Sequence, residues 1–184
     1  MKKLLAMLLA GTMMFSVTAC GNSGSKEDVA ALDALTAVWD TYEENEMFAA
    51  RGGDWNNVVD NAPGTFDITD AETLDSELGF PQSSTALIDE AASLIHMMNA
   101  NTFTAGAFHV TDESEMEMLV EDLKDNILNR QWMCGFPDTL IIAEVGENTL
   151  VSAFGNAELI ENFKEKITTV YEDAEIVCEE SLAR

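Results

Sequence analysis

The chain has 184 residues, with 34 acidic side chains against 9 basic ones and a formal net charge of −25 at pH 7. An excess of that size excludes a nucleic-acid binder, which needs basic surface to neutralise phosphates, and it opposes flat adsorption on an anionic membrane leaflet. The length left after a leader is removed suits one domain with a real core rather than two.

The leader is the first element. Lys2 and Lys3 precede an apolar run from Leu4 to Val17, which is too short to span a bilayer comfortably, and Val17-Thr18-Ala19-Cys20-Gly21 closes it. This predicts a signal peptide over residues 1–19 whose closing string resembles a bacterial lipobox. In that class the Cys20 thiol receives a diacylglyceryl group and becomes the new N-terminus. Two acyl chains then give stable anchoring where one does not. The expected place is the extracytoplasmic face of the cell membrane, with the lipid bilayer as a partner through the acyl anchor. Residues 20–26 form the lipidated cysteine and a flexible Gly/Ser linker, and 27–184 form one domain. Loss of both leader lysines takes the mature charge to about −27.

Within the domain, Asp28 to Asn45 carries Val29, Leu32, Leu35, Val38, Trp39 and Tyr42 at helical spacing. Glu46 to Phe66 holds Gly52-Gly53, Asn56-Asn57 and Pro63-Gly64, and reads as a long loop packed by Met47, Phe48, Trp55, Val58, Val59 and Phe66. Thr69-Asp70-Ala71-Glu72 opens a short helix that stops at Gly79. Leu87 to Met98 fits either a helix face or the first strand of a hairpin closed by Asn99-Ala100-Asn101, and the hairpin is the reading adopted. The chain continues as a strand from Phe103 to Val110 and a helix from Ser114 to Asn129. Strands over Thr139–Val145 and Thr149–Phe154, joined at Gly146-Glu147-Asn148, follow. A helix capped by Asn156 and a last strand from Glu175 to Cys178 complete it. That order is the ferredoxin-like βαββαβ arrangement, so the fold class is α+β: an antiparallel sheet with helices on one face, preceded by helices and an extra hairpin strand. In that arrangement the Cys178 and Thr139 strands are the two sheet edges.

Several strings are distinctive: Gly52-Gly53-Asp54, Asn61-Ala62-Pro63-Gly64-x-Phe66, His96-Met97-Met98-Asn99-Ala100-Asn101-Thr102 and Arg130-Gln131-Trp132-Met133-Cys134-Gly135-Phe136-Pro137. With the lipobox they resemble a group of uncharacterised cell-surface lipoproteins of gut Firmicutes, sometimes labelled bacteriocin transport accessory proteins. The resemblance extends over nearly the whole mature chain and implies no catalytic residues. The accessory label would imply thioredoxin-like chemistry, but the chain has no Cys-x-x-Cys.

The chemical candidates are few. With Cys20 committed to lipid, Cys134 and Cys178 remain for a possible disulfide. His96 and His109, with Met97 or Met98, could offer soft metal ligands if the hairpin brings them together, though a structural role is the better reading. Asp112-Glu113-Ser114-Glu115-x-Glu117 and the trio Asp54, Asp60 and Asp67 lack the glycine turn of a calcium loop. No nucleophile elbow and no phosphate loop occur. No cofactor, metal site or catalytic residue is therefore expected. Trp132 and Phe136, beside Gly135 and Pro137, have the composition of either a protein contact or a plug at the end of the sheet. Trp55 and Asp54 in the glycine-rich loop are the other interaction candidates. The expected function is a non-catalytic binding or accessory module of the cell envelope. The alternative is a thiol-dependent enzyme using Cys134 with His96 or His109.

Overall fold

The computed structural model describes residues 26–133 and 135–182. The segment expected to be the leader, Cys20 with its expected lipid, the expected linker up to residue 25, and Cys134 lie outside the described residues. Among the described residues no helix is long and apolar enough to cross a membrane.

The fold is α+β, built on an antiparallel sheet of eight strands. In chain order the elements are α1 (Ala31–Trp39), β1 (Ala50–Gly52), β2 (Val59–Asp60), β3 (Gly64–Thr65) and α2 (Ala71–Leu78). Then follow β4 (Ile88–His96), β5 (Phe103–Val110), α3 (Met116–Leu128), β6 (Thr139–Val145), β7 (Thr149–Gly155), α4 (Ala157–Val170) and β8 (Glu175–Ser181). The sheet runs β2-β1-β4-β5-β7-β6-β8, with β3 also paired to β4. The β4–β5 hairpin is thus present.

Two expectations need correction. The helices cover both faces of the sheet, not one. Ala105, Ala107, Ile141, Ala143, Val151 and Ala153 pack with α1 and α4, while Phe108, Leu140, Ile142, Leu150 and Phe154 pack with α2 and α3. The strand order also departs from the ferredoxin-like one: β8 lies outside β6, so the Thr139 strand is internal, although the Cys178 strand is an edge as expected. One rule accounts for both departures. The crossover from β5 through α3 to β6 and that from β7 through α4 to β8 step in the same direction across the sheet, but they start from antiparallel strands. Right-handed crossovers of that kind must pass over opposite faces.

α1 is shorter than its apolar spacing suggests, because both flanks are held by other bonds. Residues 27–30 run alongside the sheet: the Glu147 amide donates to Glu27 O and the Thr149 hydroxyl donates to Val29 O. Beyond the helix, Tyr42 stays buried through a turn in which its amide donates to Trp39 O. The Trp39 indole N–H donates to Asn61 O at 3.0 Å.

His109 fastens the start of the domain. Its Nδ1 lies 2.6 Å from Asp89 and its Nε2 2.8 Å from Asp28. Two ionised carboxylates accept from both nitrogens only if the ring is an imidazolium. Burial works against that charge, but the hydrogen bonds and charges of Asp89 and Asp28 outweigh it and raise the pKa above 6.5. Glu90, its cross-strand neighbour, adds another negative charge. A raised folded-state pKa gives stability that is complete below 6.5 and is lost as pH climbs through the folded value. The expected contribution is at most about 1 kcal/mol, since both aspartates are more than half exposed. Thermal unfolding between pH 6 and 8 should show this slope, and His109→Gln should flatten it.

Candidate functional site

The segment 46–66 is not a self-packed loop. It is ordered by backbone pairing: β1 pairs with both β2 and β4, and β3 adds to β4. Of the six residues expected to pack it, Phe48 and Phe66 do so, while Met47, Trp55, Val58 and Val59 are exposed. The glycines permit the crossing, since a Cβ on Gly52 would lie 2.1 Å from the Gly64 nitrogen. Gly53, at φ +76°, turns the chain at the end of β1.

Asp54 fixes that turn. It is 3 % exposed and accepts from the amides of Asn56 at 2.7 Å, Asn57 at 3.0 Å and Asp67 at 3.2 Å, in an Asx-type arrangement. Burial alone would raise its pKa; the amides and the Asn57 side chain outweigh that and hold it below the ordinary value. Its carboxylate thus serves the loop, and the loop presents Trp55. Asp67 joins Asp54 there, whereas Asp60 sits exposed on β2.

Trp55 and Trp132, two of the interaction candidates, meet at one end of the sheet. They line a cleft of about 170 Å3 together with Arg51, Glu77, Arg130 and Phe154. Each tryptophan carries a guanidinium over its ring: Arg51 lies 4.4 Å from the Trp55 centroid and Arg130 5.1 Å from that of Trp132. Trp132 also packs on Phe154, with centroids 5.2 Å apart. Arg51 Nη2 donates to Glu77 Oε2 at 2.8 Å, with the two side chains only 13 % and 10 % exposed. Helix α2 supplies Glu77 because Asp70 caps it and Gly79 ends it, and Asn126 of α3 donates to both Asp75 and Gly79 O. That clamp brings Arg130, just past α3, to donate to Ser76 O.

Two polar atoms near this wall are incomplete. Glu77 Oε1 and Arg130 Nη1 lie behind the cleft surface with essentially no exposure, and among the described residues they have no hydrogen-bond partner. Such atoms cost on the order of 1–3 kcal/mol each when left unpaired. Burial lowers the Arg130 pKa, an effect that nearby Asp75 opposes. The two guanidinium charges are answered by Glu77 and Asp75, so the cleft is close to neutral in an acidic molecule.

Two loops are joined beside the cleft. Asn101 donates its side-chain amide to Met133 O at 2.8 Å and Gly135 O at 3.0 Å, joining the β4–β5 loop to the α3–β6 loop. Met98, Met133 and Phe136 on these loops are exposed, Met133 at 81 %.

The other candidates lie apart. The hairpin register pairs His109 with Glu90 and places His96 six residues further along β4, roughly 20 Å away. The two histidines therefore do not form a joint site. His96 accepts from the amides of Met98 and Asn99 and stacks on Phe48 at 5.4 Å. Among the described residues no group of three or more His, Cys, Asp or Glu side chains is placed to hold a metal ion. Cys178 is a buried free thiol whose pKa is raised, first by burial and then by Glu180, which disfavours a reactive thiolate. Cys134, its candidate disulfide partner and the thiol of the enzyme reading, lies outside the described residues.

Sequence reasoning found the aromatic half of the cleft and missed Arg51, Glu77 and Arg130. A signal existed for the arginines. The chain has only three, and two of them stand within four residues of a tryptophan. Comparison with protein-family models, curated proteins and solved structures finds no match for this chain.

Proposed function

We propose that this chain is a lipid-anchored, extracytoplasmic binding module, a non-catalytic accessory that holds another component of the cell envelope in the cleft of Trp55 and Trp132. Residues 1–19 are its cleaved leader, Cys20 its acylated N-terminus and residues 20–26 its tether. The family proposed from the resemblance is that of the gut-Firmicutes lipoproteins described above. One observation carries the binding reading. Two of the three tryptophans and both described arginines converge on one cleft, each guanidinium lying over a tryptophan ring. Exposed aromatic and methionine side chains beside partly buried arginines are the composition of a protein contact.

The test uses the full chain in cells, with a photoreactive phenylalanine analogue replacing Met133 beside the cleft. Irradiation is expected to give a defined adduct with an envelope protein, and Trp55→Leu and Trp132→Leu should each remove most of it. An adduct pattern unaffected by both substitutions would contradict the reading. Intact-mass measurement of the membrane fraction should show a chain beginning at acylated Cys20, and Cys20→Ala should release the protein from that fraction.

A further inference from the structure

Residues 26–30 belong to no helix or strand, yet they lie bound along one end of the sheet. The Glu147 amide donates to Glu27 O at 2.8 Å, the Thr149 hydroxyl donates to Val29 O, and the Ala31 amide donates to Glu90 Oε2 at 3.2 Å. His109 adds a bridge between Asp28 of this segment and Asp89 of β4. We propose that His109 is a pH-sensitive latch. As an imidazolium it ties Asp28 to Asp89 and keeps residues 26–30 docked. On losing a proton to solvent it lets go of Asp28, and the segment lifts from the sheet more often.

The geometry requires two protons on the ring. Asp89 stands 2.6 Å from Nδ1 and Asp28 2.8 Å from Nε2, whereas neutral imidazole has a proton for only one of them. The other nitrogen would then set a lone pair against a carboxylate, so one contact must open. Asp89 is fixed within the β4–β5 ladder, between the pairs Ile88–Val110 and Glu90–His109. Asp28 has no ladder to hold it, so its bond is the one that yields. The docking is close as well as polar, since a Cβ on Gly146 would lie 2.3 Å from Glu27 O.

The charged groups that face the ring are all acids. Asp28 comes from the segment, and Asp89 and Glu90 come from β4, while Thr149, the partner on β7, is uncharged. α1 carries Asp33 in its first turn. Lys26, the base at the start of the segment, lines a hollow with Glu113, Glu117, Glu144 and Glu147. Burial opposes charge on the ring, but the bonds to Asp89 and Asp28 lift its pKa above 6.5. The latch is therefore closed below 6.5 and opens as pH climbs through the raised value. Both aspartates are more than half exposed, so the opening equilibrium shifts only about fivefold.

The latch itself does not depend on the function proposed above, but its consequence rests on the anchored reading. Residues 26–30 would join the tether to α1, and lifting them adds at most about 17 Å of extended chain. The domain then sits closer to the membrane in acid and gains reach as pH rises.

The test is hydrogen exchange of the Glu147 amide in the purified mature chain, followed by NMR from about pH 6 to about pH 9. Rates are expressed as protection factors, which remove the ordinary base-catalysed rise. Protection is expected to fall about fivefold along the titration curve of the His109 ring, while amides of the β5–β7 ladder keep theirs. His109→Gln should remove the dependence. Asp28→Asn should do the same, and because Asp28 is mostly exposed this variant leaves the core intact.

Protection of Glu147 that does not change with pH would overturn the latch. So would an equal fall in the His109→Gln chain, or a parallel fall across the β5–β7 ladder, which would mean that the whole domain loosens. The exchange measurement needs no membrane, so its failure leaves the anchor standing. Cys20→Ala protein that stays in the membrane fraction would instead overturn the tether consequence alone.

Discussion

Glu77→Ala is expected to lower the unfolding free energy by about 3–5 kcal/mol, the cost of stranding one member of a buried ion pair. The Arg51–Glu77 pair is close, at 2.8 Å, and both side chains are about nine-tenths out of water. Without Glu77, Arg51 keeps a weak bond to Gly53 O at 3.4 Å and its stacking on Trp55, neither of which neutralises its charge. For a domain of this length each kcal/mol is roughly 2–4 °C in Tm, so a fall on the order of 10 °C is expected by calorimetry. A combined Arg51→Met, Glu77→Leu variant should recover most of that loss, because the penalty comes from the unpaired charge rather than from the missing bond. A loss below about 1 kcal/mol in the single variant would mean that the pair is solvated like a surface salt bridge.

Phe108→Ala is expected to cost a similar amount, about 3–5 kcal/mol, for a different reason. Phe108 is fully buried on the sheet face covered by α2 and α3, with its ring 4.5 Å from that of Phe80. Its edge also fills the space over Gly106, where a Cβ would meet Phe108 Cζ at 2.7 Å. Truncation therefore opens a cavity floored by a glycine that cannot fill it, and collapse of the surrounding helices is limited by the Asn126 clamp between α2 and α3. Measured by urea unfolding, Ala107→Gly on the opposite face of the same strand should cost far less, as only one buried methyl is lost. Near-equal losses would argue against a core divided by the sheet into two separately packed layers.

Most elements beyond residue 69 could be read from local pattern. Asp70 and Gly79 bound α2, Asn156 caps α4, and Gly146 turns the β6–β7 hairpin at φ +63°. What local pattern could not decide was the side on which each helix lies, because that depends on which strand β8 joins. One clue was present. Leu140-Ile141-Ile142-Ala143 and Ala105-Gly106-Ala107-Phe108 are continuous apolar or small runs rather than alternating ones, and every residue in them is buried. Continuous runs of that kind are expected of strands covered on both faces. The segment from Glu46 to Phe66 misled for another reason: its apolar residues looked like a loop's own core, but β1 and β3 are held by hydrogen bonds to the edge of β4, and that left Trp55 free to stand outward. The cleft was half legible. Tryptophans near glycines draw notice as contact residues, whereas Glu77 looked like one more acid on a helix until α2 placed it against Arg51.

Oxidative footprinting of intact cells against the purified mature chain tests the central claim most directly. Trp55, Met98 and Met133 are exposed in the isolated chain, as are Met47 and Met118, which lie away from the cleft and serve as internal references. An occupied cleft predicts that labelling of Trp55, Met98 and Met133 falls several-fold on cells relative to Met47 and Met118. Uniform labelling of all five residues in both settings would contradict it.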